Sequence, residues 1–205
     1  MSGPIIGVIL NGGRAERMGG GDKGLRTVGG TTILARVIER LRPQVDGLVL
    51  NANGDPARFA EFNLPVIADA VPDYAGPLAG VLAGMGWSAT HRGASAIVTV
   101  PADGPFVPRD LVARLKDAQA CDDAEIVLAA SGAQRYPVVG LWPVTLRTAL
   151  REGLVEGVRK VDAWANRFRV AIADFPADPI DPFFNANTPE QLAEAERLAQ
   201  LYPNI

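Results

Sequence analysis

Residues Leu10–Thr27 are rich in the residue types that bind phosphate groups in proteins. The stretch contains six glycines, three arginines and Lys23, and almost no side chain that could pack into a core. It follows an apolar run, Ile5–Leu10, that predicts a buried strand. Glycine turns let backbone N–H groups converge on an anion, and Arg17 and Lys23 can reach its charges. We therefore expect a phosphate-bearing ligand here, with a solvated surface loop as the alternative.

Two common phosphate-binding motifs do not match this stretch. A P-loop requires glycine directly before its lysine, whereas Asp22 precedes Lys23. The dinucleotide fingerprint G-x-G-x-x-G is not met by residues 12–17 either. The pattern therefore predicts a phosphate loop of a third kind.

Asp103 is the best candidate for a metal ligand. It closely follows the apolar run Ala96–Val100, which predicts another buried strand. We expect Asp103 on the same sheet edge as the glycine-rich stretch, where its carboxylate could hold a divalent cation beside phosphates. The alternative is an aspartate that stabilises the turn Pro101–Pro105.

The elements that must position these residues alternate between strand and helix along the chain. The predicted strands are Ile5–Leu10, Gly47–Asn51, Pro65–Ala68, Ala96–Val100, Glu125–Ala130, Val138–Trp142 and Phe168–Ala173. The predicted helices are Thr32–Leu41, Leu78–Trp87, Arg109–Ala120 and a last helix that opens on the capping box Thr188–Gln191. Such alternation implies an α/β fold with a mostly parallel sheet and helices on both faces. The charged strip Gly153–Asp162 is expected to be a mobile or excursion segment.

Composition narrows the class of protein. With 205 residues, the chain 1–205 is expected to form a single domain. A net charge of −3 gives no global basic field, so nucleic acid is not an expected partner. One cysteine excludes an internal disulfide or a cysteine-based metal site. The N-terminal apolar run is too short for a signal peptide or a membrane span, so no membrane association is expected and a cytoplasmic location is the default.

The glycine-rich stretch resembles the loop of the molybdenum cofactor guanylyltransferases, the MobA-type nucleotidyltransferases. Residues 19–25 (GGGDKGL) carry the distinctive part of that loop. Other segments also resemble the family, in family order and over roughly residues 5 to 195: Leu50–Asn53, Asp69, Asp73–Gly80, Pro101–Pro108 and Asn185–Glu190. Each match alone is weak, but together they are strong.

The resemblance implies a fold, a reaction and partners. The fold would be a three-layer α-β-α, Rossmann-like nucleotidyltransferase fold, with nucleotide bound by about residues 1–105 and pterin by about residues 106–205. The reaction would transfer GMP from GTP to the terminal phosphate of molybdopterin, with Mg²⁺ as cofactor. Positioning and cations dominate such chemistry, because the transition state carries dispersed negative charge. GTP and molybdopterin would be the substrates, with transient contact to proteins of molybdenum cofactor synthesis or molybdoenzyme maturation.

The resemblance also implies roles for individual residues. Lys23 and Arg17 would neutralise the triphosphate, and Asp103 would hold the metal; these three form the catalytic set. The remaining nucleotide-binding residues would be Leu10, Asn11, Gly12, Gly13, Asn51 and Asp69, the last two on base and ribose. The pterin would contact Gly76, Gly80, Asn185 and Asn187. From the residues alone, Asn51 and Asp69 are equally well read as strand-end residues that bind their own backbone, and the two later asparagines as a lead into the Thr188 cap.

Two positions depart from the family pattern, and one pair bears on the choice of base. The family usually has alanine at the position of Asn11 and a hydroxyl residue at that of Gly104. A side-chain amide at residue 11 could alter base contacts, but it is harmless if only backbone groups there touch the base. Gly12-Gly13 favours guanine, because cytidine-preferring relatives resemble L-A-A-G there.

The rival functions are a nucleotidyltransferase that uses CTP or a sugar phosphate, and a nucleotide- or pterin-binding carrier without catalysis.

Overall fold

A seven-stranded sheet lies at the centre of the computed structural model, which describes residues 3–12, 22–71, 76–91 and 93–203. The strands are β1 Ile5–Leu10, β2 Thr27–Val28, β3 Thr31–Thr32, β4 Gly47–Asn51, β5 Val66–Ile67, β6 Ala96–Pro101, β7 Ile126–Ser131, β8 Gln134–Pro143 and β9 Val170–Phe175. Their order in the main sheet is β5-β4-β1-β6-β8-β7-β9, while β2 and β3 form a separate antiparallel pair. The order places β1 between β4 and β6, so the ends of these three strands are neighbours.

The main sheet is mostly parallel, as predicted. β5, β4, β1 and β6 pair in parallel, and so do β7 and β9. β8 is antiparallel to both of its neighbours, β6 and β7. A two-residue turn, Gly132–Ala133, joins β7 to β8, and such a short connection allows only antiparallel pairing.

Helices cover both faces of the sheet. They are α1 Ile33–Leu41, α2 Pro77–His91, α3 Leu111–Cys121, α4 Arg147–Val155, α5 Val161–Ala165 and α6 Pro189–Leu201. α1, α3 and α6 contribute to one core cluster, and α2, α4 and α5 contribute to the other. β1 supplies both clusters by alternation, because Val8 and Leu10 belong to the second cluster and Ile9 to the first. This confirms the three-layer α/β prediction. Across the described ranges, no helix has both the length and the apolar character needed to cross a bilayer.

α4 and α5 are not predicted from the sequence, and α3 begins two residues later than predicted. α5 lies at Val161–Ala165, partly within the strip expected to be an excursion. α4 occupies residues for which no helix is predicted, and it extends into the strip expected to be an excursion. In α4, Leu150 and Leu154 are buried in the second core cluster. Exposed charged residues stand on either side of them in the sequence, so the helical spacing of apolar residues is weak there. α3 begins at Leu111 rather than Arg109, with Asp110 as its N-cap residue.

Candidate active site

The carboxyl ends of β4, β1 and β6 lie side by side at one edge of the sheet. In the register, Leu10 pairs with Asn51 on one side and with Pro101 on the other. Two backbone bonds extend the ladder beyond the strands: Asn11 N–H donates to the Asn51 carbonyl over 2.9 Å, and Ala102 N–H donates to the Leu10 carbonyl over 3.0 Å. The edge therefore carries the residues that follow all three strands. Gly12, which follows β1 beyond this edge, is exposed, and no described residue lies within 4 Å of its ideal Cβ position.

Lys23 lies between two residues that come from distant parts of the chain. Its Nζ donates to Asn187 Oδ1 over 2.5 Å and lies 3.8 Å from Asp103 Oδ2. The next residue, Gly24, makes this approach feasible, because a Cβ there would lie 3.1 Å from the Ala102 carbonyl oxygen. The short 3-10 helix that begins at Lys23 is thus packed against the turn that carries Asp103. This agrees with the expectation that Asp103 and the glycine-rich stretch lie at the same edge of the sheet.

Asp103 is a largely buried carboxylate, with its side chain 17% exposed. Burial raises the pKa of Asp103, while the Lys23 charge and a bond from its own backbone N–H act in the opposite direction. Overall the pKa of Asp103 is raised, so the free-energy cost of removing the carboxylate from water exceeds the stabilisation that Lys23 provides. An additional cation at this carboxylate would relieve that cost.

Asp69 is held by two asparagines at the end of β4. Its Oδ1 accepts from Asn51 Nδ2 over 3.0 Å, and its Oδ2 accepts from Asn53 Nδ2 over 2.8 Å. Asp69 N–H in turn donates to Asn53 Oδ1 over 2.9 Å. Asn51 is 2% exposed and also donates to the Ile67 carbonyl over 3.2 Å. The structure thus shows Asn51 and Asn53 orienting Asp69, and a direct contact from Asn51 to a base stays a prediction. No role is predicted for Asn53 from the sequence, although it closes the Leu50–Asn53 segment.

The two glycines predicted to bind pterin lie at and near the start of α2. Gly80 is buried against the ends of β1 and β4, where a Cβ would meet the Asn51 side chain and lie 2.8 Å from Leu10 Cδ2. Gly80 thus permits close packing of α2 on the strand ends. Gly76 precedes the helix and lies near the Arg159 carbonyl, which is 3.6 Å from an ideal Cβ position. A pterin contact stays a prediction for both.

Asn185 and Asn187 both lie beside the turn that carries Asp103. The backbone joins the two segments, because Ala186 N–H donates to the Asp103 carbonyl over 3.0 Å. Asn185 Oδ1 is buried without a hydrogen-bond partner among the described residues, and it lies 3.4 Å from an ideal Cβ position on Gly104. The α6 cap is confirmed separately, since Thr188 Oγ1 accepts from Gln191 N–H over 3.2 Å. The segment therefore leads into that cap, presents the Asn187 side chain to Lys23, and is joined to Asp103 through the backbone of Ala186.

Asp22 has partners that the sequence did not indicate. Its Oδ1 accepts from Asn11 Nδ2 over 3.0 Å, and its Oδ2 pairs with Arg58 Nε over 2.8 Å. The contact with Arg58 could not be found from sequence patterns, because Arg58 lies in a short 3-10 helix, Pro56–Phe62, without a recognisable motif. Gly13 and Arg17 lie outside the described residues, so their predicted roles stay predictions.

The residues around Asp103 fit one class of metal ion. Across the described ranges, no three His, Cys, Asp or Glu side chains cluster closely enough to hold a metal. A protein cage for a transition metal or for Ca²⁺ is thus not formed by these residues. Mg²⁺ fits, because it commonly takes one or two carboxylates and completes its shell with water and substrate phosphates.

Comparison with known proteins identifies the family of this chain. Residues 7–170 match the MobA-like NTP transferase domain. A protein of Nitrobacter hamburgensis named molybdenum cofactor guanylyltransferase is 57% identical over 200 residues, which cover 97% of this chain and 96% of that protein. A protein of the same name from Bradyrhizobium sp. is 58% identical, with coverage of 96% and 94%.

Solved structures show the same fold at much lower identity. The crystal structure of molybdopterin-guanine dinucleotide biosynthesis protein A from Archaeoglobus fulgidus superposes with a TM-score of 0.74 at 20% identity, covering 96% of this chain and 99% of that one. The nucleotidyltransferase fold expected from the sequence is thereby confirmed. By the domain match and the high identity over nearly its whole length, this chain belongs to the molybdenum cofactor guanylyltransferase family of MobA-like NTP transferases.

Proposed function

We propose that this protein transfers GMP from GTP to the terminal phosphate of molybdopterin, forming molybdopterin guanine dinucleotide and releasing pyrophosphate. The observation that carries the proposal is the position of Lys23 between Asp103 and Asn187. A cation from the glycine-rich segment thus lies beside a carboxylate that can hold a metal and beside the segment expected to bind the acceptor. The names of the relatives support the substrate pair.

The proposed step exchanges one phosphoanhydride bond for another. An oxygen of the acceptor phosphate attacks the α-phosphorus of GTP, and the bond from that phosphorus to the β-phosphate oxygen breaks. The electron pair of the broken bond leaves with pyrophosphate. Negative charge spreads over the phosphate oxygens in the transition state, so fixed cations placed there stabilise it more than they stabilise the substrate.

Lys23 would supply one of these cations. A lysine ammonium acts as a point charge with three donors, so it can leave Asn187 and turn to a phosphate oxygen while its chain stays in place. Arg17 is proposed to act with it as a bidentate donor to the triphosphate. Losing one such cation typically costs about 10²–10³ in rate.

Asp103 would hold Mg²⁺ through its carboxylate. When bound, that ion would screen the charge on the phosphates and polarise the α-phosphorus. The raised pKa of Asp103, caused by its burial, fits a carboxylate that lacks sufficient positive charge nearby. We infer that Asp103 and Lys23 face the triphosphate together, with the carboxylate on the metal and the ammonium on phosphate oxygens.

Asp69 and the backbone around residues 10–13 would bind the nucleoside. Both oxygens of Asp69 already accept from asparagine amides, which fixes the carboxylate at the edge of the sheet. Each oxygen has further lone pairs, so a ribose hydroxyl can still donate to it. Gly12, which is exposed at the end of β1, would leave space for a purine there.

The acceptor would lie on the side of Asn185 and Asn187. Asn185 Oδ1 is buried without a partner among the described residues, and such an oxygen is costly unless a ligand or water donates to it. A pterin carries N–H groups that can donate to an amide oxygen. Gly76 and Gly80, at the start of α2, are proposed to border the same ligand.

The test is a transfer assay with purified protein, GTP, Mg²⁺ and molybdopterin, in which pyrophosphate and the dinucleotide product are both measured. We expect both products in equal amounts, and loss of both when EDTA removes the divalent metal. Transfer from CTP in preference to GTP would support the rival nucleotidyltransferase. GTP binding without turnover at saturating metal would support a carrier that lacks catalysis.

A further inference from the structure

Both carboxylate oxygens of Asp22 are held, each from a different part of the fold. Asn11, just beyond β1, donates to Oδ1 over 3.0 Å. Arg58 Nε pairs with Oδ2 over 2.8 Å, at side-chain exposures of 34% for Arg58 and 20% for Asp22. We call these three residues the Asp22 clamp. An ion pair this shielded from water is screened less than an ordinary surface pair.

Arg58 is itself fixed on more than one side. Its Nη2 donates to the Asn53 carbonyl over 2.5 Å. Its guanidinium carbon lies 4.8 Å from the ring centroid of Phe59, which is 1% exposed. Because these contacts already fix the Arg58 side chain, it loses little further conformational entropy when it pairs with Asp22. Arg58 can therefore hold Asp22 in one position.

The clamp fixes the residue that directly precedes Lys23. Asp22 is the N-cap residue of the 3-10 helix Lys23–Leu25, and its carbonyl accepts from Leu25 N–H over 3.1 Å. Aspartate at an N-cap usually bonds to its own helix, yet the Asp22 side chain makes no such cap. Its carboxylate is used instead to join residue 22 to residue 11, and these two residues stand on either side of residues 12–21 in the sequence.

The clamp also connects the lysine to Asp69. Arg58 holds the Asn53 carbonyl, and the Asn53 side chain makes two hydrogen bonds with Asp69, of 2.8 and 2.9 Å. Contacts therefore run without a break from the start of the Lys23 helix to Asp69. In the proposed function these are the triphosphate side and the ribose side of one nucleotide.

We propose that Asn11 and Arg58 are positioning residues that act through Asp22 to place Lys23 for the triphosphate. This inference rests on the proposed function for the identity of the ligand. It also explains the departure at residue 11, because the Asn11 amide is engaged with Asp22 rather than offered to a base. Replacing Asn11 by the usual alanine should therefore weaken nucleotide binding without changing which base is preferred.

The experiment compares Asn11→Ala, Arg58→Met, Arg58→Lys and the Asn11→Ala/Arg58→Met double variant with the wild type. The matched control is Arg109→Ala, because Arg109 pairs with Glu39 at the same distance of 2.8 Å and has no hydrogen bond or ion pair with any proposed nucleotide residue that the structure describes. For each protein, calorimetry gives the GTP dissociation constant, steady-state transfer gives KM and kcat, and thermal unfolding verifies the fold. The ratio of GTP to CTP use is measured in parallel.

We expect Arg58→Met to raise KM and the dissociation constant for GTP about tenfold, as for loss of one charged hydrogen bond. Asn11→Ala should raise both a few-fold, with the same ratio of GTP to CTP use as the wild type. Arg58→Lys should lie between wild type and Arg58→Met, because lysine keeps the charge on Asp22 but cannot also reach the Asn53 carbonyl. The double variant should lose less than the product of the two single effects, because both act through one carboxylate.

Other outcomes would overturn the inference. Variants whose GTP constants stay within twofold of Arg109→Ala would show that the clamp does not position Lys23. Multiplicative effects in the double variant would show that Asn11 and Arg58 act separately, and a changed base preference in Asn11→Ala would place its amide on the base. If the wild type uses CTP instead of GTP, the proposed function fails and the same ratios measured with CTP still test the clamp. A wild type that binds no nucleotide would overturn both.

Discussion

Replacing Asp103 by asparagine is predicted to lower the rate of transfer by about 10²–10³ or more while leaving the protein at least as stable. Asparagine has nearly the shape of aspartate, but it removes the charge and replaces one carboxylate oxygen by an amide NH2 group. Two opposing effects decide the stability. The attraction between Lys23 and Asp103 at 3.8 Å amounts to about 4 kcal/mol at an effective dielectric constant of roughly 20. Burial nevertheless raises the pKa of Asp103 overall, so the desolvation cost of the carboxylate exceeds this attraction.

The stability of Asp103→Asn should depend on pH in a defined direction. Because the folded-state pKa of Asp103 is raised, the folded protein binds a proton at a higher pH than the unfolded chain does. Above the folded-state pKa of Asp103, the ionised carboxylate therefore lowers the free energy of unfolding of the wild type. This destabilisation is lost as the pH falls through that pKa. At pH 7 the variant should unfold at the same temperature as the wild type or above it, and this difference should disappear in acid.

The effect on activity should be large and opposite in sign. Loss of the proposed metal ligand should lower kcat by about 10²–10³ or more. The assays are pyrophosphate release at saturating GTP and Mg²⁺, and thermal unfolding followed by circular dichroism from pH 4 to pH 8. Asp110→Asn is the matched control, because Asp110 is exposed and pairs only with Arg114 among the contacts of the described residues.

Either half of the prediction can fail alone. A variant that keeps more than a tenth of wild-type kcat would refute Asp103 as the metal ligand. A variant that unfolds several degrees below both the wild type and Asp110→Asn at pH 7 would refute the argument that desolvation exceeds the attraction to Lys23.

Three further predictions concern the lysine proposed to contact the phosphates, the packing of α2 and a half-buried tyrosine hydroxyl. Lys23→Met should lower the single-turnover rate about 10²–10³-fold with the fold intact; a near-normal rate would exclude Lys23 from the triphosphate. Gly80→Ala should lower the free energy of unfolding by about 1–3 kcal/mol, because its Cβ would overlap the strand ends. Gly86→Ala lies in the same helix, but no described residue is within 4 Å of its ideal Cβ position. This control should be neutral or stabilising by roughly 0.5–1 kcal/mol. Equal effects in the two glycine variants, measured by urea unfolding, would contradict that packing. Tyr136→Phe should cost about 0.5–1.5 kcal/mol at pH 8, because the Tyr136 hydroxyl donates to the Asp181 carboxylate and solvent partly screens this half-buried pair. Burial and that bond raise the pKa of Tyr136 from its ordinary value near 10 to about 12. The extra stability of the wild type over Tyr136→Phe should therefore be full below pH 10 and be lost as the pH rises toward 12. A stability difference that grows above pH 10 would contradict this assignment.

Local patterns predicted those parts of the fold in which one signal dominates. The strand Ile5–Leu10 is predicted at its observed bounds, because an apolar run of about six residues is typical of a buried strand and too short for a buried helix. The cap of α6 is predicted for a similar reason, since threonine, proline and glutamine at these spacings satisfy the first N–H groups of a helix. α4 is not predicted, because two buried leucines among exposed charges give a weak period, and only packing against α2 and the sheet makes the helix stable.

The amino-acid sequence by itself determined the α/β class, the strand ends that carry polar residues, and the family to which the chain belongs. These follow from patterns within short segments and from their order. Only the tertiary structure decided which side chains meet: Lys23 with Asn187, 164 residues apart, and Asp22 with Asn11 and Arg58. Such pairs depend on how strand order and helix packing bring distant segments to one edge of the sheet. The sequence shows Asp22 next to Lys23, but it does not show that Arg58, 36 residues later, holds the Asp22 carboxylate. That contact exists only once β1 and β4 have paired.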